Sequence, residues 1–216
     1  GNPTPDSENN RHNVGFKIID NINKKFSLSK QKPKFKGLLT TGNIDSKKVY
    51  AIKPLTFMNN SGICIRELIE YFKIEPENVI VFHDDLDVEF GKIKAKFGGS
   101  SAGHNGISSI DKFIGKDYSR VRIGIGKPKG PLEVSDYVLQ NFDDEEIMGV
   151  EKISKKILII GGGNIGYNLA KNIEDTLEGV RVKIVEKDKL RSEYLANELN
   201  NTIVINGNGL DEEVLS

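Results

Sequence analysis

The apolar run Val79-Ile80-Val81-Phe82 stops abruptly at His83-Asp84-Asp85-Leu86-Asp87. A run this short and apolar reads as a strand buried in a sheet, and the polar groups that follow it are delivered to the sheet's edge. A short basic strand follows, Lys92-Ile93-Lys94-Ala95-Lys96-Phe97. Next comes a glycine-rich stretch, Gly98-Gly99-Ser100-Ser101-Ala102-Gly103, which leads into His104-Asn105-Gly106. Glycine at such positions lets the backbone take positive φ or approach a ligand closely. Any fold that satisfies this stretch places a carboxylate, an imidazole and an amide at loop ends above one sheet.

The rest of the chain alternates strand and helix patterns. Val14, Ile18, Ile19, Ile22 and Phe26 have the spacing of an amphipathic helix, as do Ile65, Leu68, Ile69 and Phe72. Strands are expected at 34–41 and 48–53, joined by a turn at Gly42-Asn43, and again at 79–83 and 92–97. A helix is expected at 105–114, a strand at 120–125, and two short helical pieces ending near Met148. From residue 150 the style changes. Lys156-Ile157-Leu158-Ile159-Ile160 is a strand apolar from Ile157 on, and it runs into Gly161-Gly162-Gly163-Asn164-Ile165-Gly166 and a helix. Strands at 182–185 and 202–205 flank a helix at 188–199, and another helix is expected to begin before Ser216. The expected class is α/β: a mixed-sheet, three-layer αβα module over 1–148, then a partial Rossmann-like parallel βαβαβ unit over 155–216. Few contacts are expected between the two, although Lys156–Ile160 has the composition of a central strand for the first.

With 216 residues, 37% hydrophobic and 29% charged, the chain can bury a core and is not disordered by composition. No apolar run approaches the ~20 residues that span a bilayer, and no signal peptide opens the sequence. The single cysteine, Cys64, allows no intramolecular disulfide and fits a reducing cytoplasm, and its helical context reads as an inert core thiol. The net charge of zero conceals a local excess: residues 91–130 carry nine Lys and Arg against Asp111 and Asp117 alone. Such an excess suits a polyanion, because Lys and Arg contacts to phosphate supply most sequence-independent affinity for nucleic acid. His12 and His104 are each followed by Asn and lie on no apolar face, whereas His83 ends a buried strand and reads as structural.

Six blocks occur in order: Gly1-Asn2-Pro3, Arg11 to Phe16, Lys53 to Gly62, His83 to Asp87, Gly98-Gly99 with Gly103 to Gly106, and Arg120 to Gly126. Together they resemble the motif series of bacterial peptidyl-tRNA hydrolases. The resemblance implies hydrolysis of the ester joining a peptide to the tRNA 3′ ribose, without a metal or cofactor, by a monomer whose substrate is peptidyl-tRNA. It implies that His12 is the general base, that Asp84 orients it, and that Asn2 completes the catalytic set. Phe57, Met58, Asn59, His104 and Asn105 would bind the peptide and terminal nucleotide, and Lys94, Lys96 and Arg122 would clamp phosphate. His104, with no carboxylate assigned to it, is expected to tolerate substitution. Thr4, Ser7 and Asn10 stand where the family usually has Gly, Tyr and Thr. The family's first strand and final helix have no counterparts within 1–148.

Gly161-x-Gly163-x-x-Gly166 follows a strand, opens a helix, and is followed twenty residues later by Glu186. Glycines there let a backbone approach a pyrophosphate at a helix N-terminus, and the acid can accept from a ribose hydroxyl. Residues 156–215 resemble the nucleotide-binding TrkA-N (RCK) domain of Trk potassium uptake proteins. That implies an adenine dinucleotide such as NAD(H) held by Gly161, Gly163, Asn164, Ile165, Gly166, Glu186 and Asn208, and a Trk membrane subunit as partner if the module functions. The sequence thus supports a hydrolase with an appended fragment, a nucleotide-binding regulatory module, or a composite of two truncated genes with neither activity.

Overall fold

A computed structural model describes residues 1–44, 46–128, 130–143, 146, 156–176 and 181–208. The segment at 149–155, the second short helix near Met148 and the helix expected before Ser216 lie outside the described residues. Contacts divide the chain into two compact units, one of residues 1–84, 98–118 and 128–142, the other of 85–97, 119–127 and 143–216.

The first unit contains α1 (Val14–Lys25), an antiparallel sheet of β1 (Lys32–Lys34), β2 (Gly37–Ile44) and β3 (Lys47–Pro54), then α2 (Ser61–Phe72), β4 (Ile80–Asp85), α3 (Asn105–Ile114) and α4 (Val134–Leu139). Its core is built from Leu39, Ile65, Leu68, Ile69, Ile110 and Tyr118, with Tyr50, Ile52, Phe72 and Val81 packed against them. The helical spacings predict α1 and α2 well, and α3 spans the residues expected for it. The hairpin is different. Gly42 and Asn43 lie inside β2, paired with Val49 and Lys48, and the pairing runs on to Ile44 opposite Lys47. Leu28 packs over Gly42, where a Cβ would meet its Cδ2 at 2.6 Å, so this glycine lies in a packed strand and not in a turn. The strand expected at 34–41 is also broken. Phe35 and Lys36 adopt φ of 52° and 53° and form a two-residue hairpin loop between Lys34 and Gly37, the geometry of a type I′ turn without its usual Asn-Gly signature.

The second unit holds β5 (Ile93–Phe97), β6 (Ser119–Gly124), β7 (Lys156–Ile160), α5 (Asn164–Thr176), β8 (Arg181–Glu186), α6 (Lys189–Glu198) and β9 (Thr202–Asn206). β5 pairs antiparallel with β6, and parallel pairing continues from β5 through β7 and β8 to β9. This corrects the expectation of an independent βαβαβ unit. β7 is bonded on one side to β8 and on the other to β5, with Ile93 opposite Ile157 and Ala95 opposite Ile159. The reason is compositional: a strand apolar on both faces is a central strand, and both of its edges need partners. Ala95 accordingly shares one core cluster with Ile157, Ile159, Ile173, Ile184 and Leu195.

Ile159 is 1% exposed between two ladders. Ile159→Ala should destabilise the protein by about 2–4 kcal/mol in urea unfolding, and amide exchange should quicken in 93–97 as well as in 156–160. Faster exchange confined to residues beyond 156 would contradict the shared sheet.

Candidate active site

Gly15 decides where the site forms. A Cβ there would lie 2.4 Å from the Phe82 carbonyl oxygen, so only glycine lets the first turn of α1 press against the β4 backbone. The short 3-10 turn Arg11–Asn13 that leads into α1 is thereby brought to the end of β4. Arg11 holds that turn from behind. Its Nη1 donates to the Asn141 carbonyl at 2.9 Å, and its guanidinium lies 4.4 Å from the Tyr137 ring centre.

His12 Nδ1 donates to both Asp84 oxygens, at 2.8 and 2.9 Å. Asp84 also accepts from His104 Nε2, at 3.0 Å to Oδ1. His104 precedes α3 and caps it, its Nδ1 accepting from the Ile107 N–H at 3.2 Å. That cap fixes the tautomer: a ring nitrogen that accepts carries no proton, so the proton sits on Nε2, facing Asp84. In His12 the roles reverse, with Nδ1 protonated toward Asp84 and Nε2 left with its lone pair. The two rings are 4.9 Å apart, and His83, whose Nδ1 donates to the Asp84 carbonyl, stands edge-on to His104 at 5.0 Å. Two of the three histidines therefore meet on one carboxylate, and the third, His83, stands beside them on the main-chain carbonyl of the same residue. The expectation that His104 lacks a carboxylate partner is corrected: sequence separation hid the fact that α3 starts beside the end of β4.

Asp84 is 3% exposed. Burial alone would push its carboxyl up, but the hydrogen bonds from His104 and His12, with the attraction of both rings, outweigh burial and hold it well below the usual carboxylate range. One ring nitrogen each of His12 and His104 and an Asp84 oxygen also lie within 4.8 Å of one another. The two nitrogens bonded to Asp84 are donors in this arrangement and so do not offer a metal a lone pair.

Asn2 is positioned by a residue that sequence reasoning missed. Asn13 accepts from the Asn2 N–H at 2.7 Å and donates to the Asn2 carbonyl at 2.8 Å, leaving the Asn2 side-chain oxygen to accept from the Met58 N–H at 3.0 Å. The signal was the Asn adjacent to His12, 2% exposed here. Asn59 and Asn105 are exposed, one residue after Met58 and His104 respectively. Phe57 is 53% exposed with φ 60° and ψ 161°, a region almost reserved for glycine, at a cost of roughly 1–3 kcal/mol. Beside His12 and Asp84 a pocket opens whose walls are largely apolar, among them Ile19, Ile52, Met58, Ile65 and Ile107. Cys64 is 0% exposed and burial pushes its thiol up to about 12, as an inert core residue requires.

Other residues singled out in the sequence lie in the second unit. Lys94 and Lys96 stand opposite Arg122 and Arg120 in the β5–β6 ladder, so four cations share one face of that pair. Arg122 Nε donates to Asp85 at 2.6 Å. Gly161 has φ +97°, a Cβ on Gly166 would meet the Gly161 carbonyl oxygen at 2.0 Å, and one on Gly163 would meet nothing. Glu186 is engaged by the backbone: its oxygens accept from Gly162 N–H at 2.6 Å and Asp188 N–H at 2.9 Å. Asn164 and Ile165 begin α5, and Asn208 is exposed just beyond β9.

A carboxyl whose folded pKa is depressed stabilises the fold above its ordinary pKa, and that contribution is lost as pH falls through and below it. Stability of the native chain should therefore fall more steeply between about pH 5 and pH 3 than that of Asp84→Asn. Urea midpoints across that range check this; parallel curves would mean Asp84 titrates normally.

Residues 1–161 match the family profile described as Peptidyl-tRNA hydrolase, and residues 157–216 match the TrkA-N domain profile. The two matches overlap on β7. The chain is 78% identical over 158 residues to the peptidyl-tRNA hydrolase of Pelagibacter ubique (strain HTCC1062), covering 73% of this chain and 85% of that one. It is 41% identical over 194 residues to the Neorickettsia sennetsu (strain ATCC VR-367 / Miyayama) protein of the same name, covering 90% and 91%. Among solved structures, the crystal structure of peptidyl-tRNA hydrolase from Acinetobacter baumannii matches with a TM-score of 0.67 at 34% identity, over 70% of this chain and 78% of that one.

Proposed function

The chain belongs to the peptidyl-tRNA hydrolase family, and from that premise we propose how its residues cleave the ester between a peptide and the 3′ ribose of tRNA. His12 Nε2 takes a proton from water as the oxygen attacks the ester carbonyl carbon. The tetrahedral intermediate then collapses, the carbon–ribose oxygen bond breaks, and the imidazolium returns the proton to the departing ribose oxygen. Free acid and tRNA hydroxyl result, with atoms and charge balanced. The observation that carries this reading is the contact of His12 Nδ1 with both Asp84 oxygens, because it leaves Nε2 basic and stabilises the imidazolium once formed.

His104 supports the pair through Asp84. With its Nε2–H committed to that carboxylate, it helps to fix the plane in which Asp84 meets His12. The amides of Asn2, Asn59 and Asn105 supply neutral donors for the ester carbonyl as it gains negative charge. Phe57 and Met58 offer apolar contact to the terminal nucleotide and peptide, and the apolar pocket beside His12 suits an amino-acid side chain. Lys94 and Lys96 contact phosphate, and Arg122 joins them through the guanidinium nitrogens that Asp85 leaves available. A cytoplasmic location follows from the substrate, and no helix among the described residues is long and apolar enough to cross a membrane.

Residues 156–208 support a second, separable reading as an adenine-dinucleotide site. The open space at Gly163, next to the N-terminus of α5, is the cradle that a pyrophosphate needs, and such a nucleotide would supply binding energy and no step of the hydrolysis. Glu186 retains lone pairs for a ribose hydroxyl beside its two backbone contacts. Gly161, Gly166 and Asn208 would shape and close the site.

His12→Ala should abolish turnover of peptidyl-tRNA, a loss of about 10²–10⁴ or more, while tRNA affinity stays nearly unchanged. Asp84→Asn should cost less, since the imidazole remains without its enforced tautomer. His104→Ala should lower kcat and not KM. Steady-state kinetics on peptidyl-tRNA with filter binding of uncharged tRNA separates the effects. Full activity in His12→Ala would remove the proposed base.

A further inference from the structure

The densest run of lysines on the chain is one that the hydrolase reading leaves unused. Residues 24–36 read Lys-Lys-Phe-Ser-Leu-Ser-Lys-Gln-Lys-Pro-Lys-Phe-Lys, six lysines in thirteen residues with no acid among them. All six are exposed. They sit on a firm support. Leu28 N–H donates to the Asn23 carbonyl, Ser29 N–H donates to the Thr41 carbonyl, and the Ser29 hydroxyl accepts from the Thr41 N–H, so the segment is laid along β2. Leu28 seats against Gly42. The lysines are thus displayed from the end of α1, a fixed loop and β1, on one connected stretch of the first unit.

Asp20 is engaged by Lys53 and Gln31, and Glu67 pairs with Lys36. Lys34 lies over Tyr71, 4.1 Å from its ring centre, and 4.7 Å from that of Phe35, which holds its ammonium in place at the surface. Tyr71 is itself 62% exposed. Protection of an edge strand accounts for Lys32, Pro33 and Lys34 on β1, where lysine and proline discourage pairing with another chain. It does not account for Lys24, Lys25 or Lys30, which lie off that edge.

We propose that this surface is a second, sequence-independent RNA anchor, which holds the phosphate backbone of the tRNA substrate away from the scissile ester. The inference rests on the hydrolase reading above for the identity of its RNA. α1 supplies the spacing: its twelve residues extend about 18 Å, with His12 just before one end and Lys24 and Lys25 at the other. A substrate confined to the 3′ terminus reaches only the first end. A whole tRNA has phosphates enough to reach both.

The variant that tests this is Lys24→Gln/Lys25→Gln/Lys30→Gln/Lys32→Gln, with the same four positions as Arg for comparison. Uncharged tRNA binding is measured by filter retention from 50 to 300 mM salt, and hydrolysis is measured on peptidyl-tRNA and on an N-acyl-aminoacyl ester of the 3′-terminal trinucleotide. Each phosphate contact contributes about 0.7–0.9 to the salt slope, so the Gln variant should bind tRNA with a slope lower by about 3. Its KM for peptidyl-tRNA should rise about tenfold at 100 mM salt, the trinucleotide ester should be cleaved as before, and the Arg variant should retain native behaviour. An unchanged tRNA slope overturns the proposal, whatever happens to hydrolysis. So does retention of anionic vesicles that is lost in the Gln variant without any change in tRNA binding, because the surface would then be built for a membrane. If the native chain cleaves neither ester while the tRNA slope still responds, the hydrolase reading fails and the RNA anchor stands.

Discussion

One buried carboxylate organises the first unit. Asp84 has left water, and an ionised group that does so without partners costs far more than a small domain can tolerate. Its compensation is two imidazole donors from distant parts of the chain, seventy-two residues away in one case and twenty in the other. Meeting them requires α1 to touch β4, which only glycine at position 15 permits, and α3 to begin beside the strand's end. The carboxylate is therefore both the means by which His12 becomes a base and the point at which three chain segments are tied together.

The second unit rests on a different constraint. A strand apolar on both faces cannot be an edge, and β7 satisfies that by pairing with β5 and β8. Two family resemblances that meet near residue 157 are thus joined by a sheet, and the border between them in the sequence is not the border between compact units. β5 and β6, which carry Lys94, Lys96 and Arg122, share this sheet with β7, which both profiles match, and with β8 and β9, which the TrkA-N profile matches.

Much of this was legible in the sequence, and what was not has physical causes. Helical spacing located α1 and α2, and the His-Asp-Asp block located the end of β4, because those signals are local. The pairing of His12 with Asp84 was implied by the resemblance to the hydrolase family. The contact of His104 with the same carboxylate did not, since nothing local in Gly103-His104-Asn105 tells which strand end α3 will start beside. Gly42 was misread because glycine's two uses, turning and close packing, look alike until Leu28 is found against it. Asn13 was overlooked for a related reason: its amide acts on the backbone of Asn2, and such a role leaves no charge or spacing pattern. The independence expected of the unit beginning near 155 failed because an apolar strand announces that it needs neighbours without saying which.

The account stands on the two histidines holding opposite tautomers around Asp84, and the ring nitrogens report that directly. Long-range ¹H–¹⁵N spectra of ¹⁵N-histidine protein near pH 8 distinguish a protonated Nδ1 from a protonated Nε2 in each ring, with His12→Ala and His104→Ala giving the assignments. The account predicts His12 protonated at Nδ1 and His104 protonated at Nε2. The same tautomer in both rings, or rapid exchange between tautomers in His12, would contradict it.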